Sequence, residues 1–272
     1  MRLNHIVENF YQIEKVKTGR LFFRYLKLKN LDVEREGIVV YSYLRWLDDF
    51  VDSGINPHIA SDILDQEERI IKGVMQGEKF ETESYPYLVQ IYQRYGDRIL
   101  DLFQMFIEGF RADNKIIMTG KPLDEKSSGK KALNHTLPSY QVFSLIAFGR
   151  EFEFTEEFTK LMQTWSNYDS LIDLREDLGA GLILFSREEL SQYGVDIQQG
   201  SPLPSSFRNM YDSLKRKTLR ELIVYSSSVE RTNLPPLERF LIHFYFLSRP
   251  IKLIMSQYPF NEPKFIVGNA HS

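Results

Sequence analysis

The stretch Ile38-Val-Val-Tyr-Ser-Tyr-Leu-Arg-Trp-Leu-Asp-Asp-Phe-Val51 decides the reading of the fold. Val40, Tyr43, Leu47 and Val51 return at intervals of three and four, which places them on one face of an α-helix. Working outward, the same repeat runs through 6–16, 63–75, 87–110, 140–148, 158–178, 207–225 and 237–255. Breakers separate these runs, among them Ser53-Gly54-Ile55-Asn56-Pro57, Thr119-Gly120-Lys121-Pro122 and Gly200-Ser201-Pro202-Leu203-Pro204. Strand-like alternation, internal repeats and low-complexity tracts are absent. The pattern predicts a single all-α domain over 1–272 with eight or more helices. Residues 114–136 lack an apolar repeat and read as a Lys/Gly/Ser-containing loop near a site.

Composition narrows the chemistry. With 272 residues the chain is long enough to bury a sizeable core, and 34 basic against 37 acidic side chains leave a net charge of −3. That balance lacks the basic excess of a nucleic-acid-coating protein, so no nucleic acid is expected as a partner. Cysteine is absent, which excludes disulfides, thiolate metal sites and cysteine nucleophiles. Five scattered histidines make no imidazole cluster, so a bound metal would take oxygen ligands. No run approaches the roughly 20 apolar residues of a membrane span, and the charged start carries no signal core. A cytoplasmic protein is expected, with any membrane contact peripheral.

Two aspartate clusters stand out. Asp48, Asp49 and Asp52 lie in the first run, with Asp48 and Asp52 stacked four apart on one helix face. Asp169, Asp173 and Asp177 repeat the spacing over two further turns. Stacked carboxylates repel by about 0.2–0.5 kcal/mol per neighbouring pair even in water. A solvated acidic face is the plain reading of either cluster alone. Asp is a mediocre helix former, however, and both clusters sit among apolar residues, Trp46 and Leu47 in one, Trp165, Leu171 and Ile172 in the other. Mg²⁺ takes one or two carboxylates plus water and substrate phosphates. Two facing helices of this kind could therefore hold two or three Mg²⁺ ions and clamp a diphosphate. The 20 Phe and 15 Tyr would then suit a pocket that shelters a carbocation.

In this order the motifs resemble the squalene/phytoene synthase family. Gly19-Arg20-Leu21-Phe22-Phe23 is similar to the family's Arg-Ser-Phe region, and Leu44-Arg45-Trp46-Leu47-Asp48 through Asp52 to its first aspartate motif. Tyr140 to Gly149 resembles its central Tyr-x-x-x-V-A-G segment, and Asp169 to Leu190 its second aspartate motif. The resemblance runs from residue 20 to 190 and implies the isoprenoid synthase type of helical bundle with a central cavity. It implies that Asp48, Asp52, Asp169, Asp173 and Asp177 bind Mg²⁺ and that Arg20, Phe22 and Arg45 contact the prenyl diphosphate. Tyr41, Tyr140 and Arg45 would act on the cation or handle protons. Arg45 pairing with Asp49, and Tyr140 as a core aromatic at a helix start after Pro138, are the structural alternatives. Lys126, Lys130 and Lys131 read as a basic loop.

The implied activity is Mg²⁺-dependent head-to-head condensation of farnesyl or geranylgeranyl diphosphate. No Gly-rich dinucleotide fingerprint supports NADPH, though the family uses none. Four positions depart from the family pattern, with Asp169 for Asn, Ile172 for Arg, Leu182 for Arg and Ser186 for Pro. The two missing arginines remove bidentate phosphate donors. That shift points toward terpene cyclisation or prenyl transfer to a non-isoprenoid acceptor as the alternative, and a non-catalytic assembly factor is the reading from another class.

Overall fold

In the computed structural model every described segment of regular structure is helical. The structure describes residues 2–8, 10, 20–52, 55–151, 154–233, 235–260 and 265–268; the side chains of 20–22, 52, 237–238, 241–242 and 244–249 lie outside that description. Twelve α-helices follow in chain order among these residues, and the all-α expectation holds. They are α1 (Leu3–Glu8), α2 (Arg20–Lys29), α3 (Leu31–Asp52), α4 (Pro57–Met75), α5 (Tyr85–Tyr95) and α6 (Asp97–Thr119). Then come α7 (Glu125–Phe148), α8 (Glu156–Ile172), α9 (Leu174–Gly179), α10 (Arg187–Gln192), α11 (Phe207–Ser226) and α12 (Pro236–Met255). The described residues contain no strand beyond one isolated bridge between Pro202 and Ile266. None of the described helices is long and apolar enough to cross a membrane.

The chain gathers into two compact units. The first comprises Met1–Arg111 and Pro138–Glu151, the second Ala112–Leu137 and Phe152–Ser272. In the first, α3 packs against α1 and α2 and borders α4 and α5. Tyr43, Leu47, Phe23, Leu26 and Phe103 are sealed from solvent there. In the second, α11 packs against α8 and α12, over a core that includes Phe158, Leu161, Phe207 and Met210. Burial of such side chains contributes about 1.5–3 kcal/mol each.

Local chemistry sets the helix ends. Asn56 accepts from the His58 amide at 3.0 Å and Pro57 opens the first turn of α4. Thr155 caps α8 by accepting from Phe158 N. Ser186 and Glu189 form a reciprocal capping box at α10, with bonds of 3.1 and 3.0 Å. Ser186 therefore has a local structural task at the position where the resemblance expects proline.

Three segment boundaries differ from the sequence reading. The 87–110 run is two helices, because Gly96 adopts φ 71°, a left-handed conformation that ends α5. The 158–178 run is also two, divided at Asp173. The 114–136 stretch is a loop only between Thr119 and Glu125; the rest belongs to α6 and α7. Asp124 holds the start of α7 by accepting from the Ser127 amide at 2.8 Å and its hydroxyl at 3.0 Å. Pro138 lies inside α7, so Tyr140 sits within a helix and not at its start.

Candidate functional site: two aspartate stretches

In the first unit, α3 carries Tyr41, Arg45, Asp48 and Asp49 along one side while Tyr43 and Leu47 point into the core. Arg45 divides its fork between two carboxylates, Nη1 to Asp48 at 2.7 Å and Nη2 to Asp49 at 2.9 Å. These are spacings of three and four along the helix, where such side chains naturally meet. The three side chains keep between 16% and 31% of their exposure, so the pair is screened by water but not immersed in it. The structural alternative for Arg45 thus holds in part, and extends to Asp48.

The Tyr41 ring meets Phe10 and Phe23 edge-to-face, each at 5.6 Å between centroids. Burial raises its phenol pKa; Arg45 opposes that rise and Asp48 and Asp49 add to it. Tyr41 is therefore a protonated hydroxyl at neutral pH. Tyr140 is half-buried on α7 in the same unit. Arg20 and Phe22 begin α2, and Asp52 ends α3, but their side chains lie outside the described residues.

In the second unit, α8 buries Trp165, Tyr168 and Leu171 and turns Asp169 outward. Asp173 closes α8 and opens α9 with φ −96° and ψ 8°. The backbone keeps its repeat across this irregularity, since Asp173 N donates to Asp169 O at 2.9 Å and Asp177 N to Asp173 O at 3.0 Å. The three aspartates thus stay in step. Asp169 and Asp173 are exposed and Asp177 is half-buried.

The segment after this stretch is tied down. Gly181 has φ 85°, and a Cβ there would come within 2.6 Å of Gln199 Nε2. That nitrogen donates to Gly181 O at 3.2 Å and Ile117 O at 3.1 Å. Leu182 is buried and Ile172 lines an open groove of about 520 Å³ with Ile251 and Met255. Neither aliphatic side chain carries the hydrogen-bond donors with which an arginine binds phosphate.

Carboxylates on successive turns, reachable by water, suit Mg²⁺, which needs only one or two protein oxygens beside phosphate and water. Among the described residues no group of three or more His, Cys, Asp or Glu converges on one point. Among the described residues these carboxylates form no closed protein cage, so a metal held by them would need further oxygens from water or phosphate.

Of the carboxyl groups buried among the described residues, Glu34, Glu67 and Asp113, none was singled out by the sequence, and the last two have defined partners. Glu67 on α4 is 3% exposed; Tyr43 and Ser84 donate to it at 3.1 and 2.9 Å. Burial pushes its pKa up to about 7, against the opposing pull of the two hydroxyl donors. The signal was present, because Glu67 falls on the apolar stripe of Leu64, Ile71 and Val74. Asp113 on α6 is 6% exposed, with Lys131 Nζ at 2.6 Å and His135 Nε2 at 2.8 Å. Burial pushes its pKa up, but Lys131 and His135 outweigh this and hold it below the ordinary value. Lys131 therefore belongs to a buried ion pair on a helix, which corrects its reading as part of a basic loop.

Comparison with protein-family models gives no match, and comparison with curated proteins gives none.

Proposed function

We propose that this protein is a Mg²⁺-dependent enzyme that ionises an allylic prenyl diphosphate, farnesyl or geranylgeranyl, and condenses it head to head with a second one. One observation carries the proposal. Two separate helical stretches present aspartates at four-residue spacing, and the second keeps that spacing through the irregularity at Asp173. Repulsion along such a stripe is a cost that a divalent cation relieves. The resemblance of residues 20–190 to squalene/phytoene synthases, in family order, supports the same reading.

Asp48 and Asp52 of the first stretch and Asp169, Asp173 and Asp177 of the second would hold the metal-diphosphate. When bound, Mg²⁺ supplies neutralisation of the charge that gathers on the departing diphosphate. Arg45 orients Asp48 through its 2.7 Å pair. Tyr41, protonated and bordered by Phe10 and Phe23, offers an aromatic face and a hydroxyl to a carbocation, and such a face is worth up to ~2 kcal/mol when dry. Tyr140 and Arg20 are assigned to the same substrate by resemblance, as is Phe22.

A second reading is favoured by two specific residues. Ile172 and Leu182 pack as aliphatics where the resemblance expects arginines, which leaves fewer cations to manage a second diphosphate. That favours capture of the cation within one prenyl chain, or by a non-isoprenoid acceptor.

Incubation with Mg²⁺ and each prenyl diphosphate, followed by diphosphate assay and product analysis, separates these readings. A hydrocarbon of doubled carbon number is expected for condensation. A product of unchanged carbon number supports cyclisation. No diphosphate release at any chain length, with or without acceptor, would sink both.

A further inference from the structure

We infer that the outer surface of α11 and the end of α12 docks onto an anionic lipid surface. On α11 the buried side is formed by Phe207, Met210, Leu214, Thr218 and Leu222, which leaves the opposite side to solvent. There stand Arg216, Lys217 and Arg220, all exposed and without an ion pair among the described residues. In a chain of net charge −3, three unneutralised cations within five residues form a local reversal of sign.

Aliphatic side chains share this surface. Ile223 and Val224, each 58% exposed, follow one turn beyond Arg220. Near the end of α12, Ile251, Ile254 and Met255 are 60%, 59% and 76% exposed, with Lys252 exposed between them. Lys215 donates to Ser256 O at 2.5 Å, which ties this aliphatic end to α11 one residue before Arg216.

Long cationic stems beside exposed aliphatics match a bilayer interface, where phosphates and acyl chains lie at adjacent depths. A nucleic acid would call for aromatic stacking platforms, and this surface presents aliphatics. Monomeric proteins rarely leave such residues grouped without a use. The inference does not depend on the activity proposed above.

Vesicle co-sedimentation of the full chain tests it. Vesicles of phosphatidylcholine containing one part in about three phosphatidylglycerol should carry the protein down at low salt and release it at high salt. Each cation near an anionic surface contributes roughly a fivefold gain, so R216Q/K217Q/R220Q should weaken partitioning roughly a hundredfold. Ile254→Ser with Met255→Ser should weaken it further at fixed charge. All five positions are exposed, and an unchanged melting profile confirms the fold. Absence of sedimentation, equal sedimentation with phosphatidylcholine alone, or full binding by the triple variant would each overturn the inference. Retention on a soluble polyanion without vesicle binding would assign the cations to an acidic macromolecule and overturn it too.

Discussion

Each unit buries a carboxyl group, and the two are held in opposite ways. In the first, the outer aspartates Asp48 and Asp49 are paired by Arg45, and the buried acid Glu67 accepts from the hydroxyls of Tyr43 and Ser84. In the second, Asp169 and Asp173 are exposed, and the buried acid Asp113 has Lys131 and His135 within 2.8 Å. Burial alone pushes both buried carboxyls toward neutrality. A cation reverses that for Asp113, and hydroxyls do not for Glu67. Burial is thus a common cost, and the partner decides which protonation state bears it.

Three substitutions can break this contrast. The largest effect is expected at Asp113. Asp113→Asn leaves Lys131 buried without its counter-charge, a loss of about 3–5 kcal/mol in unfolding free energy near neutral pH. Because the folded-state pKa of Asp113 lies below its unfolded value of 3.8, its stabilisation is present above that value and fades as pH falls through the folded-state pKa. Denaturant midpoints of wild type and variant should converge in acid. A gap that persists unchanged there would refute the ion-pair account.

Glu67 should give the opposite slope. Its folded-state pKa of about 7 lies above the unfolded 4.5, so the folded protein holds a proton that the unfolded chain releases. Stability relative to Glu67→Gln should fall between pH 4.5 and about 7, by up to roughly 3 kcal/mol, and level off above. Parallel profiles for the two proteins would mean that Glu67 is not held neutral. The smallest effect belongs to Arg45→Met, which removes part-exposed pairs and should cost under about 1 kcal/mol. A much larger loss would make Arg45 a structural keystone of α3.

Most helices were legible because their buried faces are written in the apolar repeat. The end of α5 was not, because apolar residues continue at helical spacing on both sides of Gly96 and only its left-handed backbone marks the stop. The first half of α7, Glu-Lys-Ser-Ser-Gly-Lys-Lys, has no apolar stripe to reveal it. Its helicity comes with the Asp124 cap and the Lys131 and His135 pairs to Asp113, which are tertiary or local polar effects. For the candidate site, the aspartate spacing was visible in full. Spacing offered the Arg45 pair with Asp49, but not that Arg45 also engages Asp48 or that Asp173 is itself a helix junction. Ser186-Arg-Glu-Glu189 spells a capping box, a local signal carried by the residue types alone.

The proposed Mg²⁺-dependent ionisation needs aspartates of both stretches. Its most direct test is diphosphate release from farnesyl and geranylgeranyl diphosphate, with and without Mg²⁺, by the wild type and by Asp48→Ala and Asp173→Ala. Both positions keep solvent contact, so folding should be preserved and is checked by the melting profile. Release by the wild type only with Mg²⁺, lowered at least about a thousandfold by either substitution, is the expected result, equivalent to about 4 kcal/mol of lost transition-state stabilisation. Undiminished release by both folded variants, or release independent of Mg²⁺, would contradict it.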